Sequence, residues 1–379
     1  MGSGIETLYS DRLEEHYEAL AYHYSHSLEG EKAVHYLELA GDKAAGVFSL
    51  PEARKHYLDG IALIDAQDKG PDRLRKRIDL TLKLAKASHY ATSGETLKTL
   101  KIARDYAQEL GDEHRLARIS YWMGAVYRML GNHPQVFAVL GECVQLAQAL
   151  GDEELQAFSL HVMGRACYLT GDYARGIHYM DEGIAISERL GNLPEVSYSC
   201  GFSADCLAWL GDFEKAFLLA ERSMNLALKS GDLSRQGGSN WYLAAVLCMH
   251  GDWDKGLAAA SYCVEFAKRI GGAYLIGAGV TVQGWARFML GQREAGIALL
   301  KEGFQLIQSS GSLQGTALYA SMVADHLVLA GMREETILYS KKALDFFREF
   351  GEGNGEAPAH RTLGLAAALT SMPDWAMVD

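Results

Sequence analysis

Residues 189–196 read RLGNLPEV. Gly191 suits the left-handed conformation that closes a helix. Asn192 carries a short side chain able to cap the next helix, and Pro194 falls in that helix's first turn. The same grammar recurs at a fixed interval. Glycine stands at 111, 131, 151, 171, 191, 211, 231, 251, 271, 291, 311, 331 and 351, thirteen positions spaced by 20 residues without a slip. With 40 Gly in 379 residues, chance would place about one or two on such a grid, so the chain is an internal repeat. The next residue is Asp112, Asn132, Asp152, Asp172, Asn192, Asp212, Asp232, Asp252 or Ser312 in nine of the thirteen cases. Each grid point therefore predicts a helix-to-helix turn.

An unbroken repeat removes the usual inference of two or three domains from this length, because a solenoid grows by stacking. Only 6 Pro interrupt the chain, 49% of residues are hydrophobic and no alternation of period two persists, so the segments between turns predict helix. The balance of 36 basic against 48 acidic residues, a net of −12, offers no long-range attraction to phosphate backbones or anionic lipid. Neither nucleic acid nor a membrane is expected as a partner. The six cysteines, at 143, 167, 200, 206, 248 and 263, lack CxxC spacing and fall mostly in apolar helical stretches. They read as small hydrophobes in a reduced, cytoplasmic setting. The sequence contains no run of 18 apolar residues and no signal peptide. Residues 1–4, MGSG, read as a cloning remnant.

Two helices of about 17 residues per 40-residue unit give blocks 112–151, 152–191, 192–231, 232–271, 272–311 and 312–351. Overlaying the blocks lets the chain serve as its own comparison. One column reads Gly124, Gly164, Ala204, Ala244, Gly284, Ala324, Gly364, always small, and predicts a close approach of two helices. Another reads Tyr106, Leu146, Ile186, Leu226, Phe266, Leu306, Phe346, and predicts the buried seam of the second helix. Upstream, 11–27, 31–48 and 51–66 read as three further helices, with GPDRL at 70–74 marking a turn. The expected divisions are 5–70 for amino-terminal repeats, 71–351 for the regular array and 352–379 for a partial repeat. Ser371 stands where the next grid glycine is due and is followed by MPDW. The chain is thus expected to stop inside a repeat, with homodimerisation or fraying of 372–379 at that uncovered end.

The spacing of Gly124, Tyr127 and Gly131 resembles the first helix of a tetratricopeptide repeat. LAYHYSHSLEGEKAVHYLELA at 20–40 and AKASHYATSGETLKTLKIA at 85–103 look like further members. The unit is 40 residues instead of 34 and lacks the proline that normally ends the second helix, so these are elongated repeats. The resemblance implies an all-α solenoid of helical hairpins wound as a right-handed superhelix. Residues 8–64 are also similar to the segment that follows the ATPase module in large bacterial signalling proteins, some of which carry a class III adenylate or guanylate cyclase domain in front. No cyclase or ATPase motif occurs in this chain.

Few residues form a pattern that carries chemistry. GETLKT at 94–99 has the wrong glycine and lysine spacing for a phosphate loop, and GAGVTVQG at 277–284 follows no strand. His23 and His26 share a helix face without an evident third metal ligand. Neither a cofactor nor a catalytic acid, base and nucleophile set is expected, and the chain reads as a non-enzyme. Three columns of the first helix vary strongly: Tyr121, His161, Gly201, Trp241, Thr281, Ser321; then Ala125, Arg165, Asp205, Ala245, Trp285, Asp325; then Arg128, Tyr168, Ala208, Cys248, Phe288, Val328. In tetratricopeptide arrays the matching positions line a concave groove that holds a peptide or partner. The resemblance therefore implies a groove showing Tyr121, Arg128, Arg165, Tyr168, Trp241, Trp285 and Phe288, with Arg118, Phe158, Tyr198 and Trp209 nearby. Aromatics beside Arg make strong anchors. Tyr173, Phe213 and Trp253, two residues after a turn glycine, are expected to pack neighbouring turns instead.

The leading expectation is a non-catalytic interaction and regulatory region of a larger bacterial signalling protein, binding a peptide or protein segment that includes upstream domains of the same polypeptide. The alternative is a small-ligand or peptide-effector sensor controlling an attached cyclase, ATPase or transcription module.

Overall fold

The computed structural model describes residues 1–47, 49–66, 70–88, 94–311 and 315–369. They are helical nearly throughout, and they divide into two compact bodies. The first comprises residues 1–130 and 138–151, the second 131–137 and everything from 152 onward. The expectations attached to Ser312, Ser371 and residues 372–379 lie outside the described residues.

The grid glycines explain the regularity. All thirteen have positive φ, between +62° and +102°, a region where a Cβ would be strained. At 189–196, the Gly191 N–H donates to the Glu188 carbonyl at 3.1 Å and the Asn192 N–H to the Ser187 carbonyl at 2.9 Å, closing one helix. The Asn192 side chain then accepts from the Glu195 N–H at 3.3 Å, opening the next. Asp112 and Asp152 repeat that cap at 3.0 Å, a contact worth about 1 kcal/mol per helix. Asp252 departs from the pattern, because its carboxylate meets His250 Nδ1 at 2.9 Å instead of capping the next helix.

In the first body run α1 (Gly2–Leu8), α2 (Tyr17–Ser25), α3 (Gly30–Gly46), α4 (Leu50–Asp65), α5 (Pro71–Ala87), α6 (Gly94–Glu109) and α7 (Glu113–Met129); α8 (His133–Leu150) follows, its residues from 138 onward belonging here. The helix expected over 11–27 starts late: Ser10–His16 is a 3-10 segment with Arg12 out of helical conformation. Gly2, within the supposed remnant, is buried against the Tyr24 ring. Three donors, Tyr24, Tyr36 and Lys32, meet the Glu6 carboxylate at 2.7–2.9 Å. These bonds, Tyr36 first, hold its pKa down to about 2.

The second body contains α9 (Glu153–Thr170), α10 (Tyr173–Arg189), α11 (Leu193–Trp209), α12 (Phe213–Ser230), α13 (Leu233–His250), α14 (Trp253–Arg269), α15 (Ala273–Met289), α16 (Arg293–Ser309), α17 (Thr316–Leu329), α18 (Arg333–Phe350) and α19 (Glu356–Ala368). From α9 to α17 each odd-numbered helix pairs with the even one that follows, α19 packs on α17 and α18, and α9, α11, α13, α15 and α17 pack side by side. The small column marks a close helix approach at Gly284 and Gly164 but not at Gly364. A Cβ on Gly284 would lie 2.6 Å from the Leu300 nitrogen and 2.7 Å from the Gly296 carbonyl oxygen, so α15 and α16 touch backbone to backbone. At Gly164 the nearest atom is the flexible end of Met180, and at Gly364 a Cβ meets nothing within 4 Å among the described residues.

The second-helix seam differs from expectation. Ile186 is buried, but Tyr106, Leu146, Leu226, Phe266, Leu306 and Phe346 are only half-buried. The closed positions are one residue on, at Ala107, Ala147, Ser187, Ala227, Ala267 and Ile307. Mostly small side chains bring the helices together there, and the large residues flank the contact. Tyr173, Phe213 and Trp253 do pack between repeats, on Trp209, His250 and Trp285 at ring distances of 5.8, 5.2 and 6.1 Å.

The second body closes on itself. The turn after α18 meets two earlier turns: His133 Nε2 lies 3.1 Å from the Phe350 carbonyl oxygen. A Cβ on Gly353 would sit 2.7 Å from the Thr170 carbonyl oxygen. Glu352, buried in that turn, accepts from the Gly315 and Ala317 N–H groups at 2.6 and 3.0 Å, at the start of α17. Burial pushes its pKa up to about 7 against the pull of those bonds.

Candidate binding site

The odd-numbered helices of the second body bring one set of large polar and aromatic side chains together. Phe158, His161, Arg165 and Tyr168 fall on one face of α9 by helical spacing. Arg165 lays its guanidinium 5.1 Å from the Tyr198 ring centroid and 5.5 Å from that of Phe202, both on α11. Arg235 approaches Tyr198 at 4.3 Å while its Nη2 binds Glu195 at 2.9 Å. Phe202 continues to Tyr168 at 5.5 Å and to Tyr242 of α13 at 5.1 Å. Trp241 touches Tyr242 at 4.9 Å and Tyr319 of α17 at 6.5 Å, and Tyr319 reaches Tyr274 of α15 at 6.3 Å. Leu318 of α17 packs with Tyr168, Leu169 and Cys206. Five helices thus surround one aromatic interior.

Most of this interior is closed. Tyr168, Asp205, Tyr242 and Tyr319 are buried, whereas Arg165, Tyr198, Trp241 and Tyr274 stay half-exposed. Burial raises the Asp205 pKa to about 6, partly offset by the adjacent Tyr168 hydroxyl. Burial also holds the His161 pKa down to about 4, with the Arg165 charge assisting. Its ring is neutral at pH 7 and meets Ser199 Oγ at 2.7 Å and Ser187 Oγ at 3.1 Å. These are packing contacts. Among the described residues no acceptor meets the Trp241 Nε1–H.

Of the residues singled out in the sequence, Arg165, Tyr168, Tyr198 and Trp241 come together here, with Phe158 half-buried on α9. Trp285 and Phe288 form a separate group around His326, at 6.1 and 5.0 Å. Trp209 is an exposed ring stacked on Tyr173. Arg118, Tyr121 and Arg128 belong to the first body: Arg118 is exposed, Tyr121 half-buried and edge-on to Trp122, and Arg128 buried. Phe202, Tyr242, Tyr274, Tyr319 and Arg235 were missed. A signal existed for Tyr319, since its column reads Ile119, Ser159, Ser199, Ser239, Gly279, Tyr319, a large ring after four consecutive small members.

The first body holds a cavity of about 670 Å³ lined by α3, α4, α5 and α7, through Leu50, Tyr57, Lys83, Lys86, Tyr121 and Trp122 among others. Among the described residues no group of three His, Cys, Asp or Glu could hold a metal ion, and no helix is long and apolar enough to cross a membrane.

With this geometry in view, residues 115–189 match the family described as tetratricopeptide repeat. The chain carries tetratricopeptide repeats over this stretch, within a longer array of similar helical hairpins. Solved structures with similar folds include a Rap protein complexed with Competence and Sporulation Factor. That match has 14% identity, covers 81% of this chain and 85% of that one, and has a TM-score of 0.59. Aspartyl phosphate phosphatase F from Bacillus subtilis is similar at 15% identity over 80% of this chain and 79% of that one, with a TM-score of 0.62. A signal-transduction ATPase with numerous domains and a tetratricopeptide-repeat sensor, from Pyrococcus horikoshii, matches at 13% identity. There the array covers 94% of its own length and 62% of the other chain, with a TM-score of 0.52. No curated protein sequence matches it. At these identities the likeness is one of fold.

Proposed function

We propose that the array is a non-catalytic recognition region whose inner helices in the second body bind a peptide or protein segment carrying apolar and acidic groups. The observation that carries this reading is the set Arg165, Tyr198, Trp241 and Tyr274. Four successive inner helices supply it, and it stays half-exposed in an otherwise closed interior. A guanidinium over aromatic faces offers charge-assisted and stacking contacts at once. In a chain of net charge −12, Arg165 presents a cation against the Tyr198 and Phe202 rings, which suits an anionic partner, while the Arg235 charge beside it is balanced by Glu195. Residues 8–64 support an origin in a larger signalling protein, with the upstream domains as candidate partners. The six cysteines, all buried free thiols, support a reduced, cytoplasmic setting.

The test is a selection of random peptides on the full chain, followed by calorimetric titration of the enriched sequences. Wild type should bind apolar, acidic peptides, and Arg165→Ala with Trp241→Ala should weaken them by about 1–3 kcal/mol per anchor. Equal affinity in wild type and double variant would move the site elsewhere.

A further inference from the structure

The cavity of the first body has a composition of its own. Its walls are mostly apolar, from Ala45, Leu50, Tyr57, Ala87, Tyr121 and Trp122, with Asp42, Lys83 and Lys86 as the charged members. Asp42 is already engaged, accepting from the Tyr57 hydroxyl at 2.8 Å and from Lys83 Nζ at 2.5 Å. Lys83 is shared with Glu38 at 2.9 Å, and Glu38 also takes Lys76. Lys86 has no carboxylate partner among the described residues. One cation is thus left over at the edge of an aromatic chamber, in a strongly acidic chain.

The volume of about 670 Å³ falls within the roughly 300–1,000 Å³ of small-molecule sites, which combine apolar walls with few polar groups. We propose that this cavity binds a small amphipathic anion, its planar apolar body against Trp122, Tyr121 and Leu50 and its acidic group on Lys86. This site is separate from the peptide surface of the second body and does not depend on it.

Gly46 makes a clean test possible. It lines the cavity near the end of α3, its φ is not positive, and a Cβ there meets nothing within 4 Å among the described residues. Gly46→Phe therefore adds a ring beside the cavity without a backbone clash, and Lys86→Glu alters an exposed side chain. The probes are anilinonaphthalene sulfonate, a planar anion, and N-phenyl-1-naphthylamine, the same ring system without the acid, each titrated by fluorescence into the full-length chain. Expected are one sulfonate probe per chain, a loss of affinity of about tenfold or more in Lys86→Glu for the anion but under about twofold for the neutral analogue, and weakening of both by Gly46→Phe. Lys86 also lies in the last turn of α5, where a cation complements the helix dipole. If that were its whole role, Lys86→Glu would lower thermal stability and leave both probes unaffected. That result, equal weakening of the two probes, or sulfonate binding unchanged by Gly46→Phe would overturn the proposal.

Discussion

Gly284→Ala adds one methyl group where α15 and α16 meet, and the structure fixes what that methyl encounters. Its Cβ would lie 2.6 Å from the Leu300 nitrogen, 2.7 Å from the Gly296 carbonyl oxygen and 3.0 Å from Leu300 Cγ. Two of these three atoms are backbone, which no rotamer change can move. Restoring ordinary contact requires the helices to part by about 0.7 Å, and interiors packed like organic crystals resist such a shift. The cost of overpacking is about 1–3 kcal/mol, with the upper end expected against rigid neighbours. Against this, Ala gains about 1 kcal/mol over Gly in a helix interior. The net loss is about 2 kcal/mol, or a fall in melting temperature of about 4–8 °C for a body of this size. Gly364→Ala is the matched control: it lies in the same column but its Cβ meets nothing within 4 Å among the described residues, so only the helix gain of about 0.5–1 kcal/mol remains. Gly164→Ala should fall between them, because Met180 Cε can swing aside. Thermal and urea unfolding followed by circular dichroism measure all three. Equal stability of Gly284→Ala and Gly364→Ala would refute the argument that the small column is small because of backbone contact.

Two further expectations concern buried titrating groups. Asp205 has a folded pKa of about 6, above its ordinary 3.8. The folded state therefore holds the proton more tightly, and stability from this group is greatest at low pH and lost as pH rises from about 4 to 6, by on the order of 3 kcal/mol. Asp205→Asn should abolish that slope, and urea titrations of both proteins across pH 4–8 would expose an Asp205 that titrates normally as two parallel curves. His161 has the opposite sign: its folded pKa of about 4 lies below 6.5. The unfolded chain takes the proton first, and stability falls as pH drops from 6.5 toward 4. Ring carbon shifts of His161 by NMR should stay at neutral values down to about pH 5, and a midpoint near 6.5 would exclude its burial.

The repeat frame was readable because a left-handed turn penalises every residue but glycine, so Gly111 through Gly351 mark the chain without reference to packing. The close approach at Gly284 was readable for a similar reason: backbone contact tolerates no side chain. The seam was not, because Ala107 and Ala227 are as common on surfaces as in contacts, and only the three-dimensional path shows that they, not Tyr106 and Leu226, close the gap. The inner face was readable in part. Arg165, Tyr198 and Trp241 border one aromatic interior, but Trp285 and Phe288 lie apart around His326, and His161, Thr281 and Ser321, in the same column as Trp241, are buried packing residues. Variation between blocks records two things alike, a surface shaped for a partner and a gap shaped by the neighbouring repeat. Tyr319 reaches Trp241 across helices nearly eighty residues apart in sequence, a pairing that no single-repeat overlay contains.

The meeting of the turn at 350–355 with those at 131–133 and 170–171 has a consequence for how this protein can change over time. An open solenoid tolerates duplication or loss of a unit, since a new end simply forms one step further along. Here the His133 contact to Phe350 and the fit of Gly353 against Thr170 require the intervening hairpins to travel one fixed distance before they return. A deletion of residues 232–271, in perfect register with the glycine grid, would preserve every local turn and helix and still leave those surfaces unable to find each other. Unit number, freely variable in most proteins built this way, is in this one a property that drift can alter only by breaking the clasp.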